Sequence, residues 1–251
     1  MPHALLDGRR LYYEFSGSGS RTLLLLHGNT ASSRMFLPVR SLYERRFRLL
    51  LMDFVGHGSS DRLPGFPADL WFNQSMQAAA LLDRLCLHEV DLLGTSGGAL
   101  AALNLALERP DLVRRLIADS FEGERSLDAV AATIADERQR AKSAPGAITF
   151  WRDCHGGDWE NVVDNDTRAI LAHHETIGRF FHKDLKTLAM PVLLTASLED
   201  EFAGIARFPE TYARLSSLMR QGGVYLFPTG GHPAMLSNPE LFFELAADFF
   251  S

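Results

Sequence analysis

Ser96 sits in the run Gly94-Thr95-Ser96-Gly97-Gly98. A serine hydroxyl is a weak nucleophile until a neighbouring base takes its proton. What surrounds this serine therefore decides whether it can react. Val90 to Leu93 reads as a short apolar strand before it, and Gly97 to Glu108 as an Ala- and Leu-rich helix after it, stopping before Pro110. A G-x-S-x-G turn between strand and helix pushes the serine outward at the carboxyl edge of a sheet. The turn is crowded, and Gly94, Gly97 and Gly98 keep its neighbours small. The helix start offers free N–H groups and positive dipole to a developing oxyanion. Without that context, the same residues are a glycine-rich turn with a serine cap.

His232, in Thr229-Gly230-Gly231-His232-Pro233, lies between the last apolar run and the last helical one. A lone loop histidine is ordinarily a surface or packing residue. This loop returns to the same sheet edge, which makes His232 the candidate base. Its tautomer and its cation need a carboxylate. Asp200 follows the run Val192 to Ala196, flanked by Glu199 and Glu201; Asp119, at the end of another strand, is the rival. Two N–H donors must hold the oxyanion. They are assigned to Gly97 and to Asn29, in His27-Gly28-Asn29-Thr30. His27 is expected to be structural. In Asp53 to Ser60, Asp53 and the glycines are expected to shape a turn rather than His57 to bind a ligand. His155, His173, His174 and His182 match no strong metal spacing, and a solvated face is expected for them.

These residues need a scaffold that brings strand ends together. Residues 4–15 read as a hairpin about Asp7-Gly8. Thr22 to Leu26 and Phe47 to Met52 are apolar at nearly every position, as strands covered on both faces are. A helix capped by Asp69 or Asn73 runs to about Leu87, and a strand covers Leu112 to Ala118 despite Arg114-Arg115. A helix from about Ile205 to Met219, a strand at Val224 to Phe227 and a helix from Pro239 to Phe250 close the chain. Alternation of this kind predicts an α/β fold with a mostly parallel central sheet and helices on both faces. It breaks between residues 121 and 188, where a helical, more polar stretch reads as a small lid inserted into a core formed by 1–120 and 189–251.

Composition agrees. With 251 residues, 46% hydrophobic and 22% charged, the chain can bury a large core without staples. A net charge of −6 without a basic stretch argues against nucleic acid as a partner. Cys86 and Cys154 make neither a disulfide framework nor a four-cysteine zinc site. No run is long enough to span a membrane and no secretory signal opens the chain, so a cytoplasmic location is expected. No cofactor or metal is expected, and nothing specifies an oligomeric state.

Taken in order, HGN, DFVGHGSSD, GTSGG, the Asp200 loop and GGHP resemble the α/β-hydrolase superfamily along the whole chain. The order Ser, Asp, His is that of its triad. Locally, FPADLWFNQSMQAAALLDRL with LLGTSGG is similar to the valacyclovir hydrolase (biphenyl hydrolase-like) group. Members of that group carry an aspartate directly after the nucleophile for a substrate amino group; Gly97 stands here instead. This spot is then expected to be uncharged and roomier, favouring neutral acyl groups. HGNTASS is similar to haloalkane dehalogenases, but Ser96 and Gly97 replace their aspartate and tryptophan. The resemblance implies a serine hydrolase cleaving small carboxylic esters through an acyl-enzyme. Thioester, lactone or carbon–carbon bond hydrolysis on the same triad, or a triad-bearing receptor with negligible turnover, are the alternatives.

Overall fold

Residues 2–251 are described in the computed structural model. Among them, eight strands form one sheet: β1 (His3–Leu6), β2 (Arg9–Ser16), β3 (Thr22–Leu26), β4 (Arg48–Met52), β5 (Val90–Thr95), β6 (Val113–Asp119), β7 (Val192–Ser197) and β8 (Gly222–Phe227). The order across the sheet is β1-β2-β4-β3-β5-β6-β7-β8. β1 and β2 pair antiparallel, β2 joins β4 antiparallel, and all remaining pairs are parallel. The α/β reading from the sequence therefore holds.

The apolar strands follow from the layering. Alternate residues point to opposite faces. Leu24, Leu26, Leu50, Met52 and Leu92 enter one core, whereas Leu23, Leu25, Leu49, Leu51 and Leu93 enter the other. The first core is covered by α2 (Leu70–Arg84) and α3 (Gly97–Glu108), the second by α1 (Leu37–Tyr43). Arg114 and Arg115 are accounted for at the chain's end. Arg114 pairs with buried Asp91 at 2.7 Å, and both arginines donate to carbonyls of Phe249 and Phe250. Cations there satisfy the carbonyls that end the last helix.

Between β6 and β7 lie α4 (Asp128–Ala141), α5 (Pro145–His155) and α6 (Trp159–Thr176). This excursion starts and finishes at one point. Arg125 bridges Arg179, the Phe180 N–H donates to the Glu124 carbonyl at 3.0 Å, and the Ser126 N–H to Gly178 at 3.1 Å. It has a small core of its own, with Trp151 and Trp159 stacked at 5.3 Å.

Two local expectations change. The helix read from 205 to 219 is two helices, α7 (Ala203–Ala206) and α8 (Phe208–Leu218), with left-handed Arg207 between them. Pro209 is the reason: a proline inside one continuous helix would clash with the carbonyl four residues back. Asp69 occupies the cap position of α2, yet its side chain does not cap; it accepts from His182 Nε2 at 2.6 Å instead. After β8 come α9 (Ala234–Ser237) and α10 (Pro239–Phe249), the latter packing Phe242 and Ala246 into the second core.

α3 approaches β3 so closely that a Cβ on Gly98 would overlap the backbone carbonyls of Leu26 and His27. Gly98→Ala is expected to lower stability by about 1–3 kcal/mol, the cost of overpacking a tight contact. Urea unfolding checks this, and an unchanged midpoint would contradict it.

Candidate active site

Ser96, Asp200 and His232 follow the carboxyl ends of β5, β7 and β8. Parallel strands put all three ends at one edge. Ser96 has φ 56° and ψ −128°, a backbone that L residues rarely adopt. Two bonds hold it: its N–H donates to the Asp119 carbonyl at 2.8 Å, and its carbonyl accepts from Ala99 at 2.9 Å.

His232 Nδ1 lies 2.9 Å from Asp200 Oδ2, and its Nε2 lies 3.0 Å from Ser96 Oγ. With the Nδ1–H donating to the carboxylate, Nε2 presents its lone pair to the serine hydroxyl. Burial pulls the imidazole pKa down, but the hydrogen bond and charge of Asp200 outweigh it. With Asp119 and Glu201 adding to them, the value rises above the ordinary one. The edge of Phe202 packs against the ring at 5.0 Å.

The three adjacent carboxylates have separate partners. Asp200 takes the imidazole, and its other oxygen accepts the Phe202 N–H at 2.8 Å. Glu201 accepts the His232 backbone N–H at 3.1 Å, and Glu199 the Gly230 N–H at 3.3 Å. Asp119 does not touch His232. It is fully buried and accepts from Thr95, Ser120, Thr195 and the Met235 N–H, tying β5, β6 and β7 to the start of α9. Burial pushes its carboxyl up to about 6 against the hydrogen bonds from Met235, Thr195 and Thr95.

Asn29 and Gly97 both border Ser96 in the cleft. Among the described residues, neither backbone N–H has a protein acceptor. The spot beside the nucleophile is not roomy, contrary to the expectation from Gly97. A Cβ there would overlap the Asn29 carboxamide, which Trp71 Nε1 holds at 3.0 Å. Asn29 and Trp71 occupy the place a side chain at 97 would need.

The remaining histidines are set by packing. His27 Nε2 accepts the Phe54 N–H at 3.2 Å and its Nδ1 donates to Gly28, so the ring is neutral, with burial lowering its pKa. Asp53 accepts the N–H groups of Ser33 and Ser59, each at 2.7 Å, closing its turn. His57 is buried against Phe66. His155 and His173 are buried, not solvated as expected: His155 bonds Gly58 and Thr30, and His173 bonds Ala68. His174 meets Ser126. Among the described residues, no group of three His, Cys, Asp or Glu could hold a metal ion.

The cleft in front of Ser96, together with the solvent at its mouth, spans about 570 Å³. Leu100, Phe121 and Phe208 wall it from the core, and Val130, Ile134 and Ile170 from the inserted helices. Trp71, Glu122 and Arg138 also line it. The sequence reading did not place Trp71 or Arg138, because no local pattern marks which lid or helix residue will face a distant strand end.

Residues 23–245 match the model of the alpha/beta hydrolase family. The chain belongs to that family. This alpha/beta hydrolase is 34% identical to the serine hydrolase BPHL of Mus musculus over 253 residues, covering 97% of the chain and 84% of the relative. It is 35% identical to the 2-hydroxymuconate semialdehyde hydrolase of Pseudomonas sp. (strain CF600) over 281 residues, covering 97% and 91%. The enol-lactonase structure from Burkholderia xenovorans LB400 superposes with a TM-score of 0.74 at 16% identity, covering 99% of each chain. Among the described residues, no helix is long and apolar enough to cross a membrane.

The His232 imidazole is expected to titrate above the ordinary 6.5, followed by its ring-nitrogen NMR shifts. Asp200→Asn should lower that midpoint, because the anion favouring the imidazolium is gone. An unchanged midpoint would remove Asp200 as the partner.

Proposed function

We propose that this alpha/beta hydrolase is a serine hydrolase cleaving small carboxylic esters through an acyl-enzyme. The observation that carries the reading is the continuous hydrogen-bonded line Asp200–His232–Ser96, at 2.9 and 3.0 Å. Ser96 Oγ attacks the ester carbonyl while His232 Nε2 takes its proton. The Asp200 carboxylate holds the ring and stabilises the imidazolium. The N–H groups of Asn29 and Gly97 receive the oxyanion. The imidazolium then protonates the departing alcohol. Water, deprotonated by His232, releases the acid and regenerates Ser96. Residues 121–188 serve as the lid over the substrate, inserted in a core of 1–120 and 189–251. No cofactor takes part.

A second reading uses the same residues on a ketone, with cleavage of the neighbouring carbon–carbon bond. The likeness to a relative named for a semialdehyde, not an ester, favours it. A panel of ethyl esters set against ring-cleavage ketones separates the two by product.

A fluorophosphonate is expected to label the wild type at Ser96 and leave Ser96→Ala unlabelled. That variant should fold normally and lose about a millionfold in kcat. Retention of even about a tenth of the esterase rate would remove Ser96 from the nucleophile's role, since triad loss is far larger.

The acid is tested by comparison. Asp200→Asn should cost about ten-thousandfold in kcat through the wrong tautomer, and Asp119→Asn far less. Asp119→Asn should act chiefly on stability, because its amide would face the Met235 N–H donor. The reverse ranking in kcat would move the acid to Asp119.

A further inference from the structure

The inserted helices place a charge in the cleft that the hydrolytic steps do not use. Val130, Ile134 and Arg138 are spaced four apart on α4 and all line the cleft. Residues four apart share a helix face. This face is therefore apolar, apolar, then cationic. The Arg138 side chain is only 17% exposed. Among the described residues its one side-chain partner is Asp166, with Nη1 to Oδ1 at 3.4 Å. Among the described residues its Nε and Nη2 have no acceptor. Asp166 is fully buried, accepts the Thr30 N–H at 3.3 Å and lies 3.9 Å from His57. It braces the guanidinium through one long contact and leaves most of the donors unused.

Glu122 lines the same cleft and forms no ion pair with Arg138. The two charges are not equivalent. Burial pushes the Glu122 carboxyl up from its ordinary value, which disfavours its charged form. A guanidinium stays charged at every working pH and offers a planar fork that fits a carboxylate. The guanidinium is thus the cleft charge whose sign does not depend on pH.

We propose that Arg138 binds a carboxylate at the end of an apolar acyl chain, so that the substrates are monoesters of dicarboxylic acids. This rests on the serine-hydrolase reading and replaces the neutral preference argued from Gly97. That argument concerned only the spot beside the nucleophile, which Asn29 and Trp71 fill.

The test compares monoethyl succinate, glutarate and adipate with ethyl 4-methylpentanoate, 5-methylhexanoate and 6-methylheptanoate, in which an isopropyl group replaces the carboxylate. Acid release is followed in a pH-stat. At one chain length or more, the wild type should favour the anionic ester by about tenfold or better in kcat/KM, as unpaired donors in a site reject an analogue lacking the acceptor. Arg138→Met should lower that ratio by about tenfold or more. Preference for the neutral ester at every length overturns the proposal and assigns charge control to Glu122. An unchanged ratio in the variant overturns it as well. If Arg138→Met fails to fold, Arg138→Met with Asp166→Asn removes the buried carboxylate left unpaired, and the ratio is read there. If no ester turns over and a fluorophosphonate does not label Ser96, the serine-hydrolase reading fails instead. Calorimetry of glutarate binding to wild type and to the Arg138 variant then still decides the anion site, with no binding to either overturning it.

Discussion

The left-handed backbone at Ser96 is the constraint on which the rest of the site depends. A non-glycine residue at φ 56° costs on the order of 1–3 kcal/mol and persists only where its surroundings over-determine it. Here they do so from several sides. The Ser96 N–H is held by the Asp119 carbonyl. Gly98 lets α3 close onto β3, and the Asn29 carboxamide fills the place a side chain at 97 would take. A looser turn would leave the hydroxyl within the sheet edge instead of in front of it, beyond the reach of His232.

Two sets of carboxylates divide the remaining work by position. Asp119 lies beneath the edge, has four donors and is pushed up to about 6, so its charge is costly where it is. Its role there is to join strand ends. Glu199, Asp200 and Glu201 lie at the edge and grip the loop of His232 through three different N–H groups. Of these only Asp200 reaches the imidazole, and it supplies the hydrogen bond and charge that raise the ring above its ordinary pKa. In the proposed mechanism this sets a lower limit on the pH at which Ser96 is activated, because the protonated ring cannot accept the hydroxyl proton.

The substrate side is built differently. The sheet supplies only the reactive end of the cleft. One wall comes from the helices between β6 and β7, whose ends are zipped together at Arg125 and Arg179 and which carry their own small core. The same helices are also bonded to the core through His155, Asp166 and His173. In the proposed reaction Arg138 and Glu122 belong to selection of the substrate, and Ser96 and His232 to its chemistry.

The sequence by itself determined the strands, because burial on both faces demands apolar runs such as Thr22–Leu26 that polar loops cannot imitate. It also determined the positions of Ser96, Asp200 and His232 along the chain, since strand ends of a parallel sheet gather at one edge whatever the intervening loops do. It favoured Asp200 and left Asp119 as a rival, for each lies at or just past a strand end. In the tertiary structure Asp119 goes under the edge to hydroxyls and Asp200 over it to an imidazole. The sequence alone could not place Trp71 behind Asn29, Arg138 in the cleft, or His155 and His173 in the interior. The first depends on how α2 packs beside the Asn29 loop, and the others on how three inserted helices dock across the sheet. Docking is decided by contacts between residues a hundred positions apart, such as His155 with Thr30, which leave no local pattern.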